Sequence, residues 1–148
     1  MNALTSEWVA KAEMDYEGAV SLNRKRKHPL PDLVCFHCQQ CLEKYLKGFL
    51  HESKISFPKT HSLIDLLNLA VAKVPSLNSL QPDLLFVDNF AVKFRYPGME
   101  ATAKQAAEAL VRMRKVRLQL RQLLGISPKT KATAKDRKRR NGLEHPKQ

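Results

Sequence analysis

Glycine is scarce in this chain, five in 148 residues, and none falls in the spacing that cradles phosphate, so a nucleotide-binding glycine loop is excluded. No run of 18 apolar residues exists, so no helix is expected to span a membrane. Cysteine is limited to three, an odd number that cannot build a disulfide framework. That points to a reducing, cytoplasmic setting. The stretch Met1 to Glu7 lacks a basic region followed by an apolar segment and does not read as a secretory signal. His-Glu-x-x-His and a serine elbow are both absent, and nothing in the composition calls for a cofactor or metal. Sustained alternation of apolar and polar residues is missing as well, which leaves no sheet to build on. The length suits one domain and is too short for two well-buried ones.

What the chain has in excess is positive charge, 26 Lys plus Arg against 14 Asp plus Glu, a formal net charge of +12. Half of that excess sits in residues 127–148, where Arg137, Lys138, Arg139 and Arg140 form a run amid almost no apolar residues. Such a segment buries too little to offset its ordering entropy. Residues 127–148 are therefore expected to form a flexible basic tail on a body of residues 1–126. It is either a solubilising appendage or a grip on phosphates with little sequence preference.

The body reads as five helices. Ser6 can cap a first helix from Glu7, with Trp8, Val9, Ala12, Tyr16, Ala19 and Val20 three or four apart. After the basic loop Arg24 to His28, Pro31 and Asp32 open a second helix reaching about His51. Its apolar face is broad, as in the central helix of a bundle. A third helix spans about Ser62 to Val74, and a fourth runs from Asp83 to Phe94, ahead of Pro97-Gly98. The longest covers about Glu100 to Leu124, with Gly125 as its stop. The expectation is an all-α, up-and-down bundle of four to five helices.

Four places invite chemistry. Cys35, Cys38 and Cys41 resemble iron–sulfur spacing on paper, but they lie on an apolar helical stripe and lack a fourth ligand, so buried thiols account for them. On the polar side of the second helix His37, Gln40, Lys44 and Lys47 share one ridge, with Gln39 and Glu43 beside it. The ridge is either a solvated surface or a set of ligand contacts. Arg95-Tyr96-Pro97-Gly98 closes the fourth helix. An arginine there gains from the helix dipole, and it is also a planar fork suited to phosphate. His61 precedes a helix start and is a local hydrogen-bonding residue or a base. Along the fifth helix Arg114, Arg117 and Arg121 form a stripe, with Arg112 and Lys115 nearby and Glu108 the one carboxylate between Ala101 and Leu124. That flank is expected to lack internal neutralisation.

Trp8, Ala12, Asp15 and Ala19, the stretch Phe36-His37-Cys38-Gln39-Gln40-Cys41-Leu42-Glu43-Lys44-Tyr45-Leu46-Lys47, then Thr60-His61-Ser62-Leu63 and Arg95-Tyr96-Pro97, taken in this order, resemble the HEPN family. The likeness spans about residues 6–124. It implies a helical bundle that works as a homodimer. Many relatives are implicated in RNA cleavage through an arginine followed four to six residues later by histidine. Others resemble nucleotide binders or toxin–antitoxin partners of minimal nucleotidyltransferases. Here Met99, Glu100 and Ala101 occupy those later positions, so the catalytic histidine is missing.

The resulting expectation is a non-catalytic binder of nucleotide or RNA. Arg95 would contact phosphate, Tyr96 would stack, and Lys44, Lys47 and His61 would lend polar contacts, with Gln40 and Glu43 supporting. Two alternatives stand beside it. One is a metal-independent ribonuclease using Glu100, His61 or His37 as base, since cleavage through the 2′-hydroxyl needs a proton acceptor as well as a cation. The other is a structural adaptor whose apolar bundle edge meets a partner protein.

Overall fold

The computed structural model describes residues 1–93 and 96–128, with the backbone alone for Ala91 and Val92. Arg95 and the run Arg137, Lys138, Arg139 and Arg140 lie outside the described residues, as does nearly all of the expected tail.

Helix α1 covers Ala3–Asn23, α2 Pro31–Glu52, α3 Leu63–Lys73, α4 Gln81–Lys93 and α5 Ala103–Leu123. No strand occurs among the described residues. Local signals set most of these bounds. Pro31 occupies the first turn of α2, where it forfeits no helical hydrogen bond. Ser62 caps α3 by accepting from the Asp65 amide at 3.2 Å. Thr102 and Gln105 cap α5 reciprocally, each side chain taking the other residue's amide. Gly125, at φ 72°, reverses the chain after α5 in a conformation other residues avoid.

Several boundaries differ from expectation, with α4 starting at Gln81 rather than Asp83 and α5 at Ala103 rather than Glu100. α1 begins earlier than Glu7, because the Asn2 side chain rather than Ser6 accepts from the Thr5 amide, at 2.8 Å. The Ser/Asn segment before α4 is a 3-10 turn, Pro75–Leu80, which buries Leu77 and Leu80.

α2 is the central helix. It packs on α1, α5, α3 and α4 in turn, and α1 is its most extensive neighbour. The Asn2 amide meets Glu52 at 3.1 Å, so α1 and α2 run antiparallel. The Ala101 amide donates to Asp32 at 2.7 Å, which sets the start of α5 beside the start of α2. The α1–α2 loop, the segment before α5 and the N-termini of α2 and α5 therefore share one end of the bundle. Inside, Leu42, Tyr45, Leu46 and Leu50 of α2 meet Leu63, Leu66 and Leu67 of α3, Leu84 of α4, and Met113, Val116 and Leu120 of α5. Each fully buried leucine contributes about 1.5–3 kcal/mol. No helix among the described residues is long and apolar enough to cross a membrane.

Candidate functional site

Gln39, Glu43 and Lys47 recur at intervals of four along α2, so their side chains form one line facing the segment that enters α3. Glu43 is buried, and a buried carboxylate is costly unless it is met by charge and hydrogen bonds. Three groups meet it. His61 Nδ1 lies 2.9 Å from Oε1, Gln39 Nε2 lies 3.4 Å from the same oxygen, and Lys47 Nζ lies 3.4 Å from Oε2. Gln39 also donates to the His61 carbonyl at 2.8 Å, and Gln40 donates to the Gln39 oxygen at 2.7 Å. The loop is thus fastened through both its backbone and its imidazole.

Exposure decides what this arrangement can do. The His61 side chain is 79% exposed while the Glu43 side chain is 6% exposed. The ring turns Nδ1 inward to a fixed acceptor and leaves Nε2 to solvent. With the Nδ1 proton donated to the carboxylate, Nε2 accepts a proton in the neutral ring and donates one in the cation. Asp88 of α4 completes the inner side, accepting from the Leu63 amide at 3.1 Å. Burial pushes its carboxyl up and the Glu43 charge adds to this, against the lowering by the Leu63 and Gln39 hydrogen bonds.

The expected ridge on α2 divides between two carboxylates. Lys47 joins His61 on Glu43, with its ammonium 5.9 Å from the centre of the Trp8 ring. His37 and Lys44 turn instead to Asp15 of α1, with His37 Nδ1 2.9 Å from Oδ1 and Lys44 Nζ bonded to Oδ2. His37, Lys44 and Lys47 are thus largely covered by their partners and do not form an open solvated face, whereas His61 stays exposed. Asp15 and Asp88 are the partners that reading along the second helix misses. The signal for Asp15 was a carboxylate set inside the apolar stripe of Ala12 and Ala19.

The remaining candidates lie elsewhere. Tyr96 is 68% exposed in the turn before α5, where the Met99 amide meets its carbonyl at 3.3 Å. Glu100 lines an open cavity of about 240 Å³ with Pro29, Pro31, Asp32 and Leu33. Neither is brought against His61 or His37 by a contact among the described residues.

The cationic flank of α5 requires a correction. It is neutralised, and the carboxylates come from other helices. Glu13 of α1 accepts from Arg117 Nε at 2.8 Å and from Arg121 Nη1 at 3.0 Å. Asp83 of α4 accepts from Arg112 at 3.2 Å and pairs with Lys115 at 3.0 Å. Arg114 alone of this group stays exposed without such a partner among the described residues. A window along α5 sees Glu108 and misses acids that sit far away in sequence.

Cys35, Cys38 and Cys41 are all buried on α2. Burial lifts the Cys35 thiol to about 11 and drives Cys38 and Cys41 higher still, so the thiolate needed for ligation or attack is disfavoured. Among the described residues no group of His, Cys, Asp or Glu is placed to hold a metal ion.

A family model described as HEPN domain matches residues 5–123 of the chain. The crystal structure of an archaeal HEPN homologue is similar in fold, with a TM-score of 0.61 and 22% sequence identity over 80% of this chain and 96% of that one. No curated protein matches the sequence.

Proposed function

The chain belongs to the HEPN domain family, and from that premise we propose that it binds the phosphates of a nucleotide or RNA, without cleaving them, at a site built around His61. The observation that carries this reading is the solvent-facing imidazole held by a buried carboxylate. A ring fixed at Nδ1 loses little freedom on meeting a ligand, and in the cation its Nε2–H donates to a phosphate oxygen. Arg95 is the permanent cation of this reading, and Tyr96, next to it in sequence and exposed, is the stacking face. Lys47, Lys44, Gln40 and Glu43 act through the framework that holds the ring and α1 in place, rather than by touching the ligand. The protein works as a homodimer, with a minimal nucleotidyltransferase as its candidate partner.

Cleavage needs one group to take the 2′-hydroxyl proton and a proton returned to the departing 5′-oxygen. No histidine follows Arg95 at the family spacing. His37, the other imidazole on this side of α2, is bonded to Asp15 rather than Glu43. These points favour binding alone. The Glu43–His61 pair nevertheless supports a second reading, since a carboxylate-oriented imidazole is the arrangement that proton transfer uses. In that reading His61 is the base of a metal-independent ribonuclease.

Titration calorimetry with ATP, GTP and short single-stranded RNA at about 0.1 M salt separates these readings. The native protein is expected to give saturable heat, and His61→Ala and Arg95→Ala are each expected to weaken binding about tenfold or more. A His61→Ala protein that binds as tightly as the parent overturns the site. RNA left intact after hours of incubation is the expected result for a pure binder. Cleavage that survives EDTA and disappears in His61→Ala replaces that reading with the ribonuclease. No heat with any of these ligands leaves the adaptor role in possession.

A further inference from the structure

The fold answers six of the cations on its helices with carboxylates of its own, while Lys11, Lys73, Lys93, Lys104 and Arg114 stay exposed and scattered without one among the described residues. Lys44 has Asp15, Lys47 has Glu43, Arg117 and Arg121 share Glu13, and Arg112 and Lys115 share Asp83. The α1–α2 loop breaks this pattern. Arg24, Lys25, Arg26 and Lys27 are consecutive and exposed. Lys25 donates to the His28 carbonyl at 3.0 Å and shapes the loop. The side chains of Arg24, Arg26 and Lys27 meet no carboxylate among the described residues. The loop therefore holds the longest run of consecutive cations among the described residues, and repulsion among these neighbours goes unrelieved unless an anion arrives.

That end holds two further features. The hydrogen bond from the Ala101 amide to Asp32 ties the segment before α5 to the start of α2, directly after the basic loop. Between them lies the open cavity of about 240 Å³, walled by Pro29, Pro31 and Leu33, with the exposed Glu100 at its edge. Its lining mixes the apolar Pro29, Leu30, Pro31 and Leu33 with two carboxylates, Glu100 and Asp32, the latter already accepting from the Ala101 amide, so its side-chain polar groups are acceptors. A phosphate would be repelled by Glu100, whereas a base carrying an exocyclic amino group would donate to it. The exposed Tyr96 stands four residues before Glu100, where the cavity-lining segment begins, and its carbonyl accepts from the Met99 amide between them.

We propose that this end of the bundle is a single-stranded RNA subsite in which Arg24, Arg26 and Lys27 hold successive phosphates while the Pro29–Glu100 cavity takes one amino-bearing base, adenine, cytosine or guanine, in preference to uracil. An acidic protein surface would satisfy the loop cations as well, but it would leave an apolar cavity with a carboxylate rim unexplained. The inference rests on the reading of the chain as an RNA binder and adds to it a second contact region and a base preference.

The test uses the full chain and fluorescein-labelled oligo(A), oligo(C) and oligo(U) RNAs of roughly ten nucleotides, followed by anisotropy across a salt series. The native protein is expected to favour oligo(A) and oligo(C) over oligo(U) about tenfold, the order of one good base-edge contact. The triple variant Arg24→Ala, Arg26→Ala, Lys27→Ala is expected to weaken all three about tenfold or more and to flatten the dependence of log K on log salt by about 2, some 0.7 per lost phosphate contact. Glu100→Gln is expected to bring oligo(U) level with the others, because an amide both donates and accepts. Unchanged melting temperatures show that these exposed substitutions leave the fold intact. Equal native affinity for the three RNAs, or a triple variant that binds like the parent, overturns the proposal. Loss of binding in His61→Ala and Arg95→Ala with none in the triple variant sinks the proposal and leaves the His61 site standing. The opposite pattern does the reverse, and a native chain that binds none of the RNAs ends both.

Discussion

Glu13 stands on α1 and serves residues more than a hundred positions away in sequence. Its carboxylate takes Arg117 and Arg121, and Arg121 passes the contact on to the buried Tyr45 hydroxyl at 2.9 Å. The Arg117 guanidinium also lies 3.8 Å over the Tyr16 ring. Burial by itself would raise the Glu13 carboxyl, but the Arg117 and Tyr45 hydrogen bonds and the two positive charges hold it below the usual range. With Glu13 removed, two guanidiniums near the interior lose their counter-charge. Breaking a fully buried pair this way costs about 3–5 kcal/mol, and partial exposure reduces the expectation for Glu13→Gln to about 2–3 kcal/mol, measurable by urea denaturation at pH 7. The sign with pH follows. A depressed carboxyl stabilises fully above its unfolded value of about 4.3, and that stabilisation is lost as pH falls through the lower folded value. The native protein should lose stability between about pH 5 and pH 3, and Glu13→Gln should lose less over that window. Equal slopes for the two proteins would contradict the pairing. Asp15, Glu43 and Asp83 likewise take basic side chains from other elements, Lys44, His61 and Lys115 among them. Their sequence neighbours do not show their partners, so the site was only half legible. His61, Lys47 and Glu43 could be picked out as polar residues of interest, but that one carboxylate gathers two of them while Asp15 draws His37 and Lys44 aside is a property of packing.

Element by element, the chain could be read closely, because caps and periodicity are local. The start of α2 at Pro31 and the cap of α3 at Ser62 lie within four residues of the signals that set them. The start of α1 was misread because Asn2 and Ser6 can both cap, and the choice falls to tertiary contact. With Asn2 as cap, the first turn reaches Glu52 and sets the Thr5 carbonyl near Gly48. The α1–α2 interface also contains two glycines whose alanine variants should move in opposite directions. At Gly18 an added Cβ would rest 3.6 Å from the His37 ring, an ordinary contact. Gly18→Ala is therefore expected to gain about 0.5–1 kcal/mol from helix propensity. At Gly48 the Cβ would come within 3.1 Å of the Trp8 Cβ, an atom fixed to the α1 backbone that cannot swing away. Gly48→Ala is expected to destabilise by about 1–2 kcal/mol, since prising the helices apart outweighs the propensity gain. Thermal melts of the two variants suffice, and a shift in the same direction for both would mean that the interface is looser than these distances indicate.

At the scale of the whole molecule, positive charge collects in two stretches of the sequence, the α1–α2 loop, where Arg24, Arg26 and Lys27 meet no carboxylate among the described residues, and residues 129–148. The second region carries half of the formal net charge of +12 in the run from Lys129 to Lys147. If the body folds by itself and the tail adds only long-range attraction, the two contributions to RNA binding must separate. Phosphate attraction is blind to base identity and screened over about 10 Å at 0.1 M salt, whereas a base held in a cavity is neither. A chain ending at Pro128 is expected to melt at the temperature of the full chain. It should bind every RNA more weakly at low salt, show a shallower dependence on salt, and keep the ratio between oligo(A) and oligo(U) unchanged. A lower melting temperature would move the domain boundary past residue 126. A changed ratio would mean that Arg137, Lys138, Arg139 and Arg140 take part in selecting the base, and the division of labour between tail and body would have to be redrawn.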